Sequence, residues 1–293
     1  MLITSEPIAP AKQLNKQRNL QRAFDRAAAS YYEHCYAANS DSLQVQTARL
    51  LLEQLNVQLE PGQRAGRLMD LGCGMGVHWP QLSARTKHYT GVDLSAQMIE
   101  QARQRFPAAP DTSQWLVGDA QALPFSSSST DIVFSNLALQ WCVDRTAVSN
   151  ELYRVCRQGG SVHFSTLVTG SLTPLNKLQE AGLLQAINQY PTALEWQQLL
   201  LATGFSKVKW QQKTITTFHH NGADLLRSMK NIGAGQVMHS NSEPKGSQGL
   251  RTPAWLREVN STLEEYRQPQ GIPLHYQVAL FAANKGTHNF LQL

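Results

Sequence analysis

The densest chemistry in this sequence lies between residues 70 and 119. Asp70-Leu71-Gly72-Cys73-Gly74-Met75-Gly76 follows a short apolar run and precedes a segment able to start a helix. Glycines at 72, 74 and 76 let the backbone turn sharply and approach a ligand, and a helix N-terminus behind them offers N–H groups and a positive dipole end. Dinucleotide sites use G-x-G-x-x-G. Here the spacing is G-x-G-x-G with an acid two positions before the first glycine, which argues against a pyrophosphate and so against a nicotinamide or flavin. Asp93 stands 21 residues after Gly72 at the end of a second apolar run, where a carboxylate accepts both hydroxyls of a ribose. Asp119, within Gly118-Asp119-Ala120-Gln121-Ala122-Leu123-Pro124-Phe125, closes a third run.

Acids at three successive strand ends call for a ligand with a ribose, cationic groups, an exchangeable amine and no phosphates. S-adenosylmethionine meets that description. One such aspartate alone is as readily a helix cap; three in register are not. The set DLGCGMG, GVD and GDAQALPF resembles the class I S-adenosylmethionine-dependent methyltransferases over about residues 40–170. The resemblance implies that the glycine turn supports the methionine moiety, that Asp93 holds the ribose and that Asp119 meets adenine N6. The implied cofactor wall begins with Asp70, Gly72, Cys73, Gly74 and Gly76. It continues through Asp93, Leu94, Met98, Asp119 and Ala120 to Asn136, Leu137, Trp141 and Tyr31.

A narrower resemblance lies outside those motifs. Ala23–Tyr31 (AFDRAAASY), Ser135–Cys142 (SNLALQWC), Glu151–Val155 (ELYRV), Thr166–Leu172 (TLVTGSL) and Arg227–Ala234 (RSMKNIGA) resemble the malonyl-[acyl-carrier protein] O-methyltransferases of biotin synthesis. That family esterifies the free carboxylate of a malonyl thioester, so the resemblance implies an acidic carrier protein as partner. Residues 235–251 are longer and more polar than the family pattern, and Gln158 stands where a proline is common. A carboxylate is already ionised at pH 7, so no general base is expected. Arg227, Lys230 and Tyr31 are candidates to orient the acceptor, although the two cations read equally well as exposed helix charges. Tyr31 and Trp141 face the same ambiguity between closing over a sulfonium and packing. A relative acting on a free small acid or a quinone, and a non-catalytic cofactor-binding module, are the alternatives.

These residues need a frame, and alternating strand and helix patterns supply one. Apolar runs at Arg67–Leu71, His88–Asp93, Gln114–Val117, Ile132–Ser135 and Ser161–Leu167 interleave with helical periodicity, and Ser95 is placed to cap the helix carrying Met98 and Ile99. The fold class expected is α/β: a doubly wound, mostly parallel seven-stranded sheet with an antiparallel last strand, Rossmann-like, plus a helical cap. Residues 1–40 read as a tail and a basic helix covering the site, and 41–170 as the cofactor core. Residues 171–267 read as a helical cap with one core strand near 207–218, and 268–293 as the final strand and tail. In more detail, 172–203 read as wholly helical, a helix from about Val143 to Cys156 closes at Gly159-Gly160, and Pro273–Asn284 reads as an antiparallel edge. A polar interruption falls at His239–Gly249.

Among the 293 residues, 26 Lys and Arg against 21 Asp and Glu give a net charge of +5, a mild excess that suits an acidic partner. Lys16, Arg18, Arg22 and Arg26, or Lys207, Lys209 and Lys213, are the candidate docking cations. No recognition motif interleaves them, so nucleic acid is not expected. Cys35, Cys73, Cys142 and Cys156 form no CxxC or Cys/His cluster, so neither a metal nor a disulfide framework is expected, and a reduced cytoplasmic setting is. No run approaches the roughly 18 apolar residues of a membrane span. Oligomeric state is not encoded.

Overall fold

The structure, a computed structural model, describes residues 10–37, 42–58, 63–107, 109–184, 189–231 and 252–286. The N-terminal tail to residue 9, the interruption at His239–Gly249 and the unusual stretch 235–251 lie outside the described residues.

A seven-stranded sheet organises the chain. In chain order its strands are β1 (Ala65–Leu71), β2 (Thr86–Asp93), β3 (Ser113–Val117), β4 (Thr130–Asn136), β5 (Cys156–Leu167), β6 (Ser206–His219) and β7 (Ile272–Asn284). They lie in the order β3-β2-β1-β4-β5-β7-β6, with the pairs from β3 to β5 parallel and β7 antiparallel to both neighbours. Successive residues alternate between two apolar layers: Leu68, Ile132 and Phe134 enter one, Met69, Val133 and Phe164 the other. Helix α5 (Arg145–Val155) and helix α7 (Ala193–Thr203) cover the second layer through Leu152, Trp196 and Leu200. On the first layer lie α2 (Leu43–Gln58), α3 (Trp79–Ser83), α4 (Ala96–Arg105), α8 (Gly222–Asn231) and α9 (Pro253–Glu264). Both faces are therefore wound with helices. Helix α1 (Pro10–Tyr32), ending in a π-helical turn at Glu33–Ala37, and α6 (Leu175–Glu180) complete the set.

Ser95 caps α4 as its type and position require, accepting a hydrogen bond from Met98 N at 3.1 Å. Three local expectations are corrected. Strand β7 is internal, lying between β5 and β6, and β6 is the edge; the side chain of His275 bonds Thr216, and that of Gln277 accepts from Gln212 and Thr214, all on β6. Helix α5 ends at Val155, and Gly159-Gly160 belong to β5, where they pair with Lys285. Residues 172–203 are not one helix. Gly182, with φ +71, ends the turn after α6, and Pro191 lacks the N–H that a helix interior needs, so α6 and α7 are separate pieces. Among the described residues no helix is long and apolar enough to cross a membrane.

Strand order reverses direction of growth between β1 and β4, and in open α/β sheets ligands bind outside the carboxyl ends of strands at such a point. The glycine turn, Asp93 and Asn136 all end strands there.

Candidate functional site

A cavity of about 920 Å³, counting its open mouth, lies at that switch point. The turn after β1 forms its floor. Gly72 has φ +73, and a Cβ there would sit 2.1 Å from Ala138 Cβ, so only glycine permits this approach. The turn's N–H groups are used internally: Gly72 and Cys73 donate to Val92 O at 2.7 and 3.0 Å, Gly74 to Asp93 Oδ2 at 2.9 Å, and Gly76 to Cys73 O at 3.0 Å. With these four amides already bonded the turn makes a poor phosphate cradle, and α3 behind it has only five residues. This supports a ligand without phosphates.

The acids give the cavity its sign. Asp93 accepts from Gly74 N on one oxygen and from Ser95 N, at 2.8 Å, on the other, which fixes the carboxylate plane toward the cavity. Its pKa is raised, chiefly by burial. Asp119 accepts from Gln121 N at 3.0 Å, while its second oxygen takes a hydrogen bond from the side-chain amide of Gln17 on α1. An amide N–H₂ thus occupies the carboxylate that the sequence assigned to an exocyclic amine. His78, in the wall, is held neutral because burial lowers its pKa to about 4. Among the described residues no Lys or Arg lines the cavity. An acid-rich, cation-free wall suits a cationic ligand, and the ammonium and sulfonium of S-adenosylmethionine fit it.

Most of the sequence-derived cofactor residues converge here. Gly72, Cys73, Gly74, Asp93, Leu94 and Met98 line one side; Asp119, Ala120, Asn136, Leu137, Trp141 and Tyr31 line the other. Asp70 and Gly76 do not. Asp70 shares the face of β1 that carries Leu68 and is fully buried behind the wall, its Oδ2 accepting from Tyr89 OH at 2.9 Å. Its Oδ1 is buried without a partner, and burial, with a smaller contribution from Asp93, raises the carboxyl to about 7. Gly76 is a packing residue: a Cβ would lie 2.3 Å from the Trp115 ring. Asn136 lines the cavity with both polar ends engaged, accepting from Ser165 Oγ at 2.7 Å and donating to Gln44 O at 3.1 Å. It positions α2 and the strained Leu137, which has φ +52.

Helix α1 closes the cavity. Asp25 accepts from Ser95 Oγ at 2.5 Å, Phe24 packs edge-on against Trp141 with ring centroids 5.5 Å apart, and Arg105 lies 3.6 Å over the Tyr32 ring. Lys16, Arg18, Arg22 and Arg26 remain exposed on its outer face, as do Lys207, Lys209 and Lys213 on β6. Sequence reasoning missed Gln17, Tyr36, Gln44 and His78.

A second cavity of about 400 Å³ adjoins the first, sharing Tyr31, Gln44, Leu137 and Trp141 with it. Gln140, Tyr190, Tyr276 and Met229 are among its other walls. Arg227 is not: its side chain is 65% exposed and paired to Asp224 at 2.7 Å, because it points off the side of α8 opposite to the buried Leu226 and Met229. Of the acceptor-orienting candidates, Tyr31 lines this cavity and Arg227 does not. The Lys230 side chain lies outside the described residues.

The family described as "Methyltransferase domain" matches residues 69–164. A relative from Marinomonas sp., named malonyl-[acyl-carrier protein] O-methyltransferase, is 32% identical over 97% of this chain and 98% of its own length. The biotin biosynthesis bifunctional protein BioHC of Cellvibrio japonicus is 32% identical over 89% of this chain; the match spans only 49% of that protein. Among solved structures, Haemonchus contortus phosphoethanolamine N-methyltransferase 2 in complex with S-adenosyl-L-methionine aligns with a TM-score of 0.59 and 18% identity, over 96% of this chain and 61% of that one. At that identity the likeness concerns the fold alone. A neighbour named for transfer to nitrogen leaves the acceptor open.

Proposed function

The chain belongs to the malonyl-[acyl-carrier protein] O-methyltransferase family, and from that membership we propose that it methylates the free carboxylate of malonyl-[acyl-carrier protein], giving the methyl ester that primes pimeloyl synthesis for biotin. The observation that carries the reading is the convergence of the glycine turn, Asp93 and Asp119 on one cation-suited cavity with a second cavity beside it. S-adenosylmethionine supplies an electrophilic methyl group: a carboxylate oxygen forms the new C–O bond while the C–S electron pair stays on sulfur, and no proton moves.

The chain's own residues bind, orient and dehydrate. Asp93, clamped by Gly74 and Ser95, takes the ribose diol; Asp119 takes the adenine amine once Gln17 yields it. Leu94, Met98, Ala120 and Leu137 sandwich the apolar parts, and Trp141, braced by Phe24, and Tyr31 close the passage between the cavities. Alignment and dehydration supply the rate, since well-oriented reactants recover on the order of 7–11 kcal/mol. The described part of residues 1–40 acts as the cover and the described parts of 171–267 as the cap over the acceptor side. The exposed cations of α1 lie on the outer face of a helix whose inner face closes the cavity, which supports approach of an acidic carrier protein there. Free, mostly buried cysteines are in keeping with a cytoplasmic enzyme.

A labelled-methyl assay comparing malonyl-[acyl-carrier protein] with free malonate tests the reading. Strong preference for the carrier-bound acid, together with rescue of growth without biotin in a strain lacking the family enzyme, is the expected result. Equal rates on free acids would refute the carrier-protein assignment.

A further inference from the structure

We propose that the smaller cavity is the subsite for the acceptor's carboxylate and that Gln140 reads it there through a neutral side-chain amide; this rests on the carboxyl-methylation reading above. Gln140 sits on the 3-10 turn Leu139–Trp141 after β4, between the buried Leu139 and the Trp141 that borders both cavities. It lines the smaller cavity and not the larger one. Its Oε1 is fully buried and has no hydrogen-bond partner. An unmet buried polar group is costly, so a side chain left in this state is explained by a ligand that meets it. Half a turn about the last side-chain bond exchanges Oε1 for the amide nitrogen and presents two N–H donors to an anion.

The rest of the cavity agrees. Leu43, Leu167, Leu172 and Met229 keep water out, and the polar walls beside Gln140 are neutral: Tyr31, Gln44, Tyr190 and Tyr276. Among the described residues no Lys or Arg lines it. Neutral donors are also what the reaction favours. Methyl transfer destroys the acceptor's negative charge, so a fixed cation would hold the ground state more tightly than the transition state and slow the step. An amide orients the carboxylate with a much smaller loss of this kind. The subsite therefore takes a short carboxylate delivered on a flexible acyl chain, and its selectivity comes from hydrogen bonds in a dry pocket.

The test uses the full chain with labelled S-adenosylmethionine and malonyl-[acyl-carrier protein]. Q140L removes the donor at nearly constant volume, and Q140M serves as a second neutral variant should the first not fold. Either is expected to lower kcat/KM for malonyl-[acyl-carrier protein] roughly 10- to 100-fold, the size of a lost hydrogen bond to a charged group, while the Kd of S-adenosylmethionine stays within about twofold. Q140E, which sets a like charge against the acceptor, is expected to lower it further. An active wild type beside an unaffected Q140L overturns the inference alone, as does an equal loss of cofactor affinity, or a K230M variant that abolishes transfer where Q140L does not. A wild type inert toward malonyl-[acyl-carrier protein] overturns the functional reading and this inference with it.

Discussion

Replacing Asp70 by Asn should make stability depend on pH in a way that can be worked out in advance. The carboxyl is fully buried, receives one hydrogen bond from Tyr89 and faces Asp93, Tyr36 and Cys73, none of which neutralises it. Its folded-state pKa is therefore about 7, against 3.8 when free. Between those values the folded protein holds a proton that the unfolded chain has released, so stability falls as pH rises and the full cost stands above pH 7. At roughly 1.4 kcal/mol for each factor of ten in proton affinity, the gap amounts to about 4 kcal/mol. D70N abolishes the titration but introduces an N–H₂ group with no buried acceptor, which offsets part of the gain. The slope is thus the diagnostic. In urea denaturation, the stability of D70N minus that of wild type should increase by about 2 kcal/mol between pH 5.5 and 8. A difference that is flat across this range would refute the assigned burial cost.

The same group couples to the cofactor. A bound ammonium and sulfonium favour the ionised carboxyl, so binding near pH 6.5 should release protons from wild type and fewer from D70N. Calorimetric titrations in two buffers of different ionisation enthalpy measure that release. Equal proton release by both proteins would detach Asp70 from the cofactor altogether.

Three further outcomes follow from other contacts. His78 and His163 are buried with pKa values lowered to about 4; the unfolded chain protonates first as pH falls, so stability should be full above pH 6.5 and decline by roughly 3 kcal/mol per histidine down to pH 4, with H163Q flattening the acid limb of a denaturation profile. Lys285, 6% exposed, donates to Tyr153 O at 2.7 Å and Cys156 O at 2.9 Å. K285M should cost about 2–3 kcal/mol and several degrees in Tm while leaving cofactor Kd unchanged; an unaltered Tm would show the end of α5 to be satisfied otherwise. Q17A frees Asp119 and should tighten S-adenosylmethionine binding by up to roughly tenfold, whereas an unchanged or weaker Kd would mean that Gln17 does not compete for the carboxylate.

The parts of the site that are legible in sequence share one property: their signal is local. DLGCGMG, GVD and GDA each place a glycine or acid at a strand end, and a parallel sheet brings such ends together without further instruction. Asp70 was misplaced for a reason that strand geometry supplies. With side chains alternating, it shares a face with Leu68, toward Tyr89, and not the rim from which the ligand is reached. Gly159-Gly160 resembled a helix stop because a glycine pair ends helices far more often than it begins a strand; here the pair meets Lys285, some 125 residues on, and that partner is invisible locally. The break in 172–203 is, by contrast, written locally, in Gly182 and Pro191.

What stayed hidden is the acceptor side. Its walls come from α2, the turn after β4, α8 and β7, so no window of sequence contains it. Its chemistry deepens the concealment. Cations, metals and nucleophilic triads declare themselves by residue type, which is why Arg227 drew attention and proved to be a solvent-facing partner of Asp224. A reaction that extinguishes charge favours neutral donors at the acceptor, and a glutamine among leucines reads as an ordinary polar residue until the fold shows that its amide oxygen is buried without a hydrogen-bond partner.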